Sequence, residues 1–116
     1  MDRLGDVIRR RGENISSYQV EDVINQHVLI SMSAAFPIPA DEGDEDEIAV
    51  FVVAKETRLT QDELLQWVER TIPSFMKPKY LRLIDDLPRT PTNKIEKFKL
   101  KKQLLKELES RADKER

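Results

Sequence analysis

One lysine stands in a stretch whose neighbours constrain the backbone: Lys94 directly follows the sequence Pro88-Arg89-Thr90-Pro91-Thr92-Asn93. Pro88 and Pro91 fix φ, and Asn93 tolerates the left-handed conformation that such turns often need. The pattern predicts a constrained loop that presents the Lys94 ammonium outward on a flexible stem, as a compact charge for an anionic ligand. On spacing alone, a merely solvated surface lysine is the ordinary alternative.

Charge is unevenly distributed along the 116 residues, although the net charge is only −2. The stretch Asp41–Glu47 contains six carboxylates interrupted only by Gly43. Calcium binding is one interpretation of this stretch, but it lacks the spacing and the following helix of an EF-hand. The sequence therefore favours a solvated hairpin loop and no metal site.

The other end of the chain is basic, because Arg89–Lys106 contains seven Lys or Arg residues and one acid, Glu96. Such a segment can attract nucleic acid. The alternative is an amphipathic helix, and two features favour it. Phe98 is the one interleaved aromatic residue, and leucines recur near helical spacing, at Leu100, Leu104, Leu105 and Leu108.

Composition excludes several classes of chemistry. The chain has no cysteine, which removes disulfides, thiolate nucleophiles and cysteine-based metal sites. Its single histidine, His27, disfavours a His-dependent triad, and we expect it to be a helix-end residue. No apolar run approaches bilayer length, and the first residues show no signal-peptide pattern. We therefore expect one globular domain with no membrane span, located in the cytoplasm.

Periodicity predicts an α+β domain: a small mixed β-sheet flanked by helices, with an N-terminal β-hairpin. Two capping boxes, Ser16-x-x-Gln19 and Thr60-x-x-Glu63, mark helix starts. The predicted elements are a hairpin of Val7–Arg10 and Asn14–Ile15 turning at Gly12, a helix from Ser16 to His27, a strand Val28–Ile38 ending at the Pro37 and Pro39 breaks, a buried strand Ile48–Ala54, a helix from Thr60 with Leu64, Leu65, Trp67, Val68 and Ile72 on its apolar face, a strand Tyr80–Ile84, and a helix from Lys97 to about Arg111.

Two motifs at opposite ends of the chain resemble the C-terminal domain of the adenylate-forming (AMP-binding) enzyme superfamily. This superfamily includes acyl-CoA synthetases, adenylation domains of peptide synthetases and luciferases. The segment Asp2–Ile15, followed by Val20-Glu21, resembles the motif that begins at the interdomain hinge. Leu87–Ile95 resembles the motif that bears the family's catalytic lysine. The sequence Gly12-Glu13-Asn14-Ile15-Ser16 is faintly similar to the carnitine/crotonobetaine-CoA ligase branch.

The resemblance implies a two-step reaction. A carboxylate first reacts with ATP to give acyl-adenylate and pyrophosphate, and the acyl group then passes to CoA, releasing AMP. Lys94 matches the lysine that stabilises the charge developing in the first step. In the second step the domain rotates about its hinge, and the hairpin of Arg11, Gly12, Glu13 and Asn14 comes to line the pantetheine tunnel.

Other positions carry over from the family residue by residue. Arg3 matches an arginine near the ribose and phosphate of the nucleotide, and Gly5 with Asp6 falls at the hinge. Gly5 stands where the family usually has Asp or Lys, and Asn93 stands where it usually has Gly. The resemblance assigns residues 1–110 to the mobile C-terminal domain, with the hinge at 3–6 and the lysine loop at 88–97. We expect the charged tail, 111–116, to fray.

The resemblance also implies what lies outside this chain. The phosphate loop, the adenine pocket and the acyl pocket belong to a larger N-terminal domain, and this chain has no Gly-rich phosphate loop. We expect Mg²⁺ to accompany ATP without being bound by this chain, and no nucleic-acid partner. We therefore expect the chain to be an excised domain that is inactive alone. Two alternatives stay open, an adenylation-domain fragment that loads a carrier protein and a stand-alone binding module without catalysis, and the acyl substrate is open.

Overall fold

The computed structural model describes residues 7–10, 12–39, 46–55, 59–92 and 94–114, and its elements follow the order that the sequence predicts. The elements are β1 (Val7–Arg10), β2 (Glu13–Ser16), α1 (Ser17–Ile24), β3 (Ile30–Pro39), β4 (Asp46–Ala54), α2 (Gln61–Thr71), a 3-10 turn (Ser74–Met76), β5 (Tyr80–Ile84) and α3 (Lys97–Lys114). This order confirms the predicted α+β class.

Helices α1 and α2 each begin at a complete capping box, as predicted. The Tyr18 amide donates to Ser16 Oγ at 3.1 Å, and the Ser16 amide donates to Gln19 Oε1 at 3.0 Å. The same reciprocal bonds join Thr60 and Glu63 at 3.1 and 3.0 Å. These bonds satisfy amides that have no partner within the helix, so both starts are fixed locally.

The strands form two sheets in the described part of the chain. Strands β1 and β2 pair antiparallel, with Ile8 opposite Ile15. The second sheet has the order β3-β4-β5, in which β3 is antiparallel to β4 and β5 is parallel to it. A parallel pair needs a long crossover, and α2 lies in the connection between β4 and β5.

The central strand β4 is buried on both faces, which explains its almost continuous run of apolar residues. One face packs against the hairpin, α1 and α2, and the other packs against α3. Residues Ile48, Val50 and Val52 lie on the first face, and Ala49, Phe51 and Val53 lie on the second. The sheet thus separates two hydrophobic clusters, with α3 on the opposite side from α2.

The boundary between α1 and β3 differs from the prediction. Helix α1 ends at Ile24, not at His27, and β3 begins at Ile30, not at Val28. The intervening residues form a turn, in which the Leu29 amide donates to His27 Nδ1 at 3.0 Å and the Ile30 amide donates to the His27 carbonyl at 3.1 Å. This turn leaves Val28 77% exposed, although its residue type favours a strand.

Two other strand boundaries also differ from the prediction. Strand β3 passes through Pro37 and ends at Pro39, so Pro37 does not break it. This is tolerated because β3 is an edge strand of the described sheet, where proline can lack its N–H without losing a ladder bond. Strand β4 begins at Asp46, so the last two acids of the acidic stretch, Asp46 and Glu47, belong to a strand and not to a loop.

Helix α3 continues to Lys114, beyond the predicted end near Arg111. Its leucine seam is narrower than predicted, because Leu100 and Leu104 are buried while Leu105 is 40% exposed. Leu65 of α2 is likewise exposed. The fraying predicted for residues 111–116 stays a prediction.

Candidate functional site

The loop that carries Lys94 is closed by a short antiparallel pairing of its two arms. The Thr90 amide donates to the Lys94 carbonyl at 2.8 Å, and the Glu96 amide donates to the Pro88 carbonyl at 2.8 Å. Arg89 and Ile95 form a β-bridge between these bonds. The loop is therefore held by its own backbone, between β5 and the first turn of α3.

Thr90 adds a side-chain bond at the tip of the loop. Its Oγ1 accepts a hydrogen bond from the Lys94 amide at 3.1 Å and lies 3.0 Å from Thr92 Oγ1. Lys94 itself is exposed, which agrees with the prediction of an outward-facing lysine. Among the residues that the structure describes, none forms an ion pair with its ammonium group. Its catalytic role stays a prediction.

A cleft of about 640 Å³ lies beside this loop, between α1 and the first turn of α3. Its lining combines lysine and glutamate side chains with an aromatic and aliphatic wall, and Phe98 is 65% exposed. The lining residues are Tyr18, Glu21, Thr90, Lys94, Ile95, Glu96, Lys97 and Phe98. This combination suits a ligand with an anionic group and an apolar part.

Two charged residues of the cleft form an ion pair that the sequence interpretation did not assign to the site. Lys97 Nζ lies 2.7 Å from Glu21 Oε2, and the two side chains are only 19% and 12% exposed, respectively. Glu21 Oε2 also accepts a hydrogen bond from the Ala35 amide at 2.7 Å. Lys97 Nζ donates to Oγ of the fully buried Ser17 at 3.3 Å. The pair therefore joins α1, β3 and α3.

Residue type and spacing indicate this ion pair only weakly. Glu21 belongs to the first family-like motif, and Lys97 lies three residues after Lys94. Each is also an ordinary helical charge by residue type, and only the tertiary fold, in which α1 and α3 pack on the two faces of one sheet, brings them together.

The predicted cofactor hairpin is a second, separate feature. Gly12 has φ +79°, and a Cβ built there meets no atom within 4 Å, so the backbone conformation, and not crowding, favours glycine. Glu13 and Asn14 are exposed, while Ile8 and Ile15 anchor the strands in the core. The first strand is also tied to β4, because the Arg9 amide donates to Asp46 Oδ2 at 3.0 Å.

The hairpin and the lysine loop do not share the cleft. Gly12, Glu13 and Asn14 are not among the residues that line it. Arg3, Gly5, Asp6 and Arg11, together with Asn93, lie outside the described residues. Their predicted roles therefore stay predictions.

His27 lies in the turn after α1, beyond Asn25 at the helix C-cap, and not at the helix end where we expect it from the sequence. Its ring contacts Trp67 edge-to-face, with 4.9 Å between ring centroids, and its Nδ1 accepts the Leu29 amide. A smaller cleft of about 280 Å³ lies beside these two rings. The contacts of His27 are those of a packed turn residue.

Two features are absent from the described residues. No group of three or more Asp, Glu or His side chains in these ranges is arranged to hold a metal ion. No helix within them is both long and apolar enough to cross a bilayer. Residues 41–45 of the acidic stretch lie outside the described part of the chain.

The fold and the lysine loop define a class of protein, and comparison with known families agrees. The family described as AMP-binding enzyme C-terminal domain matches residues 19–94, which is more than half of the chain and includes Lys94. The chain belongs to this family, which confirms the resemblance seen in the sequence. The hairpin residues 12–14 precede the matched segment.

Curated relatives extend the match. The peroxisomal trans-cinnamate:CoA ligase of Petunia hybrida is 31% identical over 100 residues, covering 86% of this chain and 18% of that protein. The medium-chain fatty-acid–CoA ligase of Escherichia coli (strain K12) is 35% identical over 109 residues, covering 91% of this chain and 19% of that protein. The chain thus spans about a fifth of the length of these relatives.

Solved structures support the fold. A fatty acyl CoA synthetase of Mycobacterium tuberculosis superposes with a TM-score of 0.72 and 28% identity, covering 88% of this chain and 20% of that chain. An acyl-CoA synthetase of Brucella canis gives a TM-score of 0.75, covering 93% of this chain and 20% of that chain. The latter is only 23% identical, so it supports the fold alone.

Proposed function

We propose that this chain is the C-terminal domain of an ATP-dependent acyl-CoA synthetase, which converts a carboxylate, ATP and CoA to acyl-CoA, AMP and pyrophosphate. Family membership and the relatives named as CoA ligases support this function. The same relatives favour CoA over a carrier protein as the acceptor of the acyl group. The similarity to the carnitine/crotonobetaine-CoA ligase branch stays a prediction, and so does a cytoplasmic location.

The observation that carries the proposal is the position of Lys94. It lies at the end of a loop closed by backbone bonds and lines a cleft with an apolar wall. In the first step the carboxylate oxygen attacks the α-phosphorus of ATP, pyrophosphate leaves, and negative charge builds on the α-phosphate oxygens and on the leaving group. A lysine held beside the α-phosphate and the carboxylate offsets the repulsion between these two anions and lowers the barrier, since a preorganised donor stabilises charge that develops in the transition state.

The two glutamates that line the cleft are not expected to contact ATP. Glu21 is paired with Lys97, and Glu96 is paired with Lys99 at 3.1 Å, so these carboxylates are engaged within the domain. We infer that Lys94 is the residue of this cleft that contacts the nucleotide. Mg²⁺, the adenine ring and the acyl group would be held by a larger N-terminal domain of the same enzyme.

The hairpin would act in the second step. Rotation of the domain about a hinge at residues 3–6, which include Gly5 and Asp6, would withdraw Lys94 and bring the hairpin to the CoA path. The exposed turn at Gly12, with Arg11, Glu13 and Asn14 beside it, would then lie along the pantetheine arm. Arg3 would contact the ribose and phosphate of the nucleotide.

The test compares the two half-reactions of the intact enzyme that contains this chain. Lys94→Ala is expected to lower pyrophosphate release about 100-fold or more. Formation of the thioester from preformed acyl-adenylate and CoA should change little. Lys102→Ala is the matched control, because Lys102 is an exposed lysine of α3 that does not line the cleft.

Two outcomes contradict the proposal. If Lys94→Ala leaves both half-reactions intact, the loop is structural. If Lys102→Ala lowers pyrophosphate release as much as Lys94→Ala does, a general effect of basic charge explains the loss.

A further inference from the structure

The partly buried Glu21–Lys97 pair lies between the two elements that the proposed function uses. Glu21 belongs to α1, which directly follows the hairpin strand β2. Lys97 is the first residue of α3, three residues after Lys94. One ion pair of 2.7 Å therefore ties the chain after the lysine loop to the helix after the hairpin.

Stability alone is a weak explanation for this pair. Removing two charges from water is costly, and apolar residues of similar volume often stabilise a protein as well or better. The ion pair instead fixes the position of the Lys97 ammonium relative to α1, because each charged group is also held by a second hydrogen bond. Glu21 Oε2 is also fixed by the Ala35 amide at 2.7 Å, and Lys97 Nζ by Ser17 Oγ at 3.3 Å. The Lys97 ammonium is consequently held at one place on α1.

Lys97 is not a second cation offered to a ligand. Its side chain is 19% exposed, and its ammonium is engaged by a carboxylate and a hydroxyl, with the Tyr18 ring centroid at 5.4 Å. Lys94, by contrast, is exposed at the cleft. The two lysines thus have different surroundings although they are three residues apart.

The rest of α3 is anchored independently of Lys97. Leu100 and Leu104 are buried against the sheet, and Glu107 forms an ion pair with Arg82 of β5. Loss of the Lys97 pair should therefore release only the first turn of α3 and the loop joined to it. Lys94 lies in that loop, so its position is the property most directly affected.

We propose that Glu21 and Lys97 are positioning residues for Lys94, holding the lysine loop against α1 so that the Lys94 ammonium meets the reacting groups in the first half-reaction. The inference rests on the proposed function of Lys94. A displacement of about 1 Å at a reacting group can lower a rate on the order of 100-fold, so a modest release of the loop suffices.

The experiment uses the intact enzyme that contains this chain. Lys97→Met keeps the length of the stem and removes the charge, and Lys97→Arg restores a charge. We expect Lys97→Met to lower kcat for pyrophosphate release about 10- to 100-fold. The KM for ATP and thioester formation from preformed adenylate should change about threefold or less. Lys97→Arg should recover most of the rate.

A double substitution separates positioning from general structural damage. If the pair acts through Lys94, adding Lys97→Met to Lys94→Ala should lower the rate about twofold or less beyond Lys94→Ala alone, because the group to be positioned is already absent. A further loss as large as that of Lys97→Met alone would overturn the inference. An equal loss in both half-reactions of the Lys97→Met enzyme would also overturn it.

Glu21→Gln provides a second route if Lys97→Met does not fold. The amide can still accept from the Ala35 amide but carries no charge, and the same selective loss of the first half-reaction is expected. A normal rate in Glu21→Gln would overturn the inference. Failure of the inference is distinguishable from failure of the proposed function, because in the latter case Lys94→Ala itself has no effect.

Discussion

Thr90 and Lys94 bind each other through two hydrogen bonds. The Thr90 amide donates to the Lys94 carbonyl at 2.8 Å, and the Lys94 amide donates to Thr90 Oγ1 at 3.1 Å. The first bond uses only backbone atoms and survives any substitution except proline. The second depends on the threonine hydroxyl, so the contribution of the side chain can be measured separately.

Thr90→Val should loosen the loop without emptying the space that the side chain fills. A lost hydrogen bond of this kind is worth about 1 kcal/mol, which corresponds to roughly a fivefold lower rate of pyrophosphate release if it is lost at the transition state. The control is Thr71→Val, at an exposed threonine at the end of α2. Equal rates for the two variants would mean that the hydroxyl does not help to position Lys94.

The lysine loop was recognisable in the sequence because its constraints are local. Two prolines, two threonines and an asparagine lie within the loop itself. The two residues of each capping box are likewise only three positions apart. The alternation of β4 between two core faces also follows from one short apolar run. Patterns of this kind can be recognised without knowing which residues far apart in the sequence contact each other in the fold.

The Glu21–Lys97 ion pair could not be predicted from local sequence patterns. It depends on how α1 and α3 are each placed on the sheet, and many other charged helical positions could form ion pairs in a chain of which 36% is charged. The exposed Leu105 shows the same limit, because adjacent leucines on a helix lie about 100° apart and only packing selects one. The strand predicted to begin at Val28 begins at Ile30 instead, because the His27 side chain stabilises a turn that residue type does not indicate.

Leu104→Ala and Leu105→Ala form a matched pair that tests which leucine belongs to the core. Leu104 is fully buried, so its truncation should lower the free energy of unfolding by about 2–5 kcal/mol. Leu105 is 40% exposed, and its truncation should cost roughly 1 kcal/mol or less. Urea unfolding of the 116-residue chain measures both. Equal losses would show that α3 packs in a different rotation.

Substitutions of Gly12 should be ranked by backbone conformation. A Cβ there meets no atom within 4 Å, so the strain comes from φ +79° alone. Asn adopts positive φ more readily than a β-branched residue does. Both variants should lower the free energy of unfolding. We expect the loss in Gly12→Val to exceed the loss in Gly12→Asn by about 1 kcal/mol or more. Urea unfolding decides the order, and a reversed order would contradict the assigned turn.

Gly12→Asn can then be used in the intact enzyme, because it should retain the turn while adding a side chain. If the hairpin lines the CoA path, thioester formation from preformed adenylate should fall while pyrophosphate release is retained. Gln103→Ala is a suitable control, since Gln103 is an exposed residue of α3 that does not line the lysine cleft. Retention of both half-reactions in Gly12→Asn would exclude close approach of CoA to this turn.

The 116-residue chain by itself should fold but not catalyse the first half-reaction. In the described part of the chain, each face of the three-stranded sheet carries a cluster of buried apolar residues, which supports independent folding. In the proposed function, however, Lys94 acts only on groups that another domain would hold. We expect no ATP-dependent pyrophosphate release above background from the chain alone, measured beside an equimolar sample of the intact enzyme. Turnover by the isolated chain would show that it binds ATP itself. The proposal that a separate N-terminal domain holds the nucleotide would then be wrong.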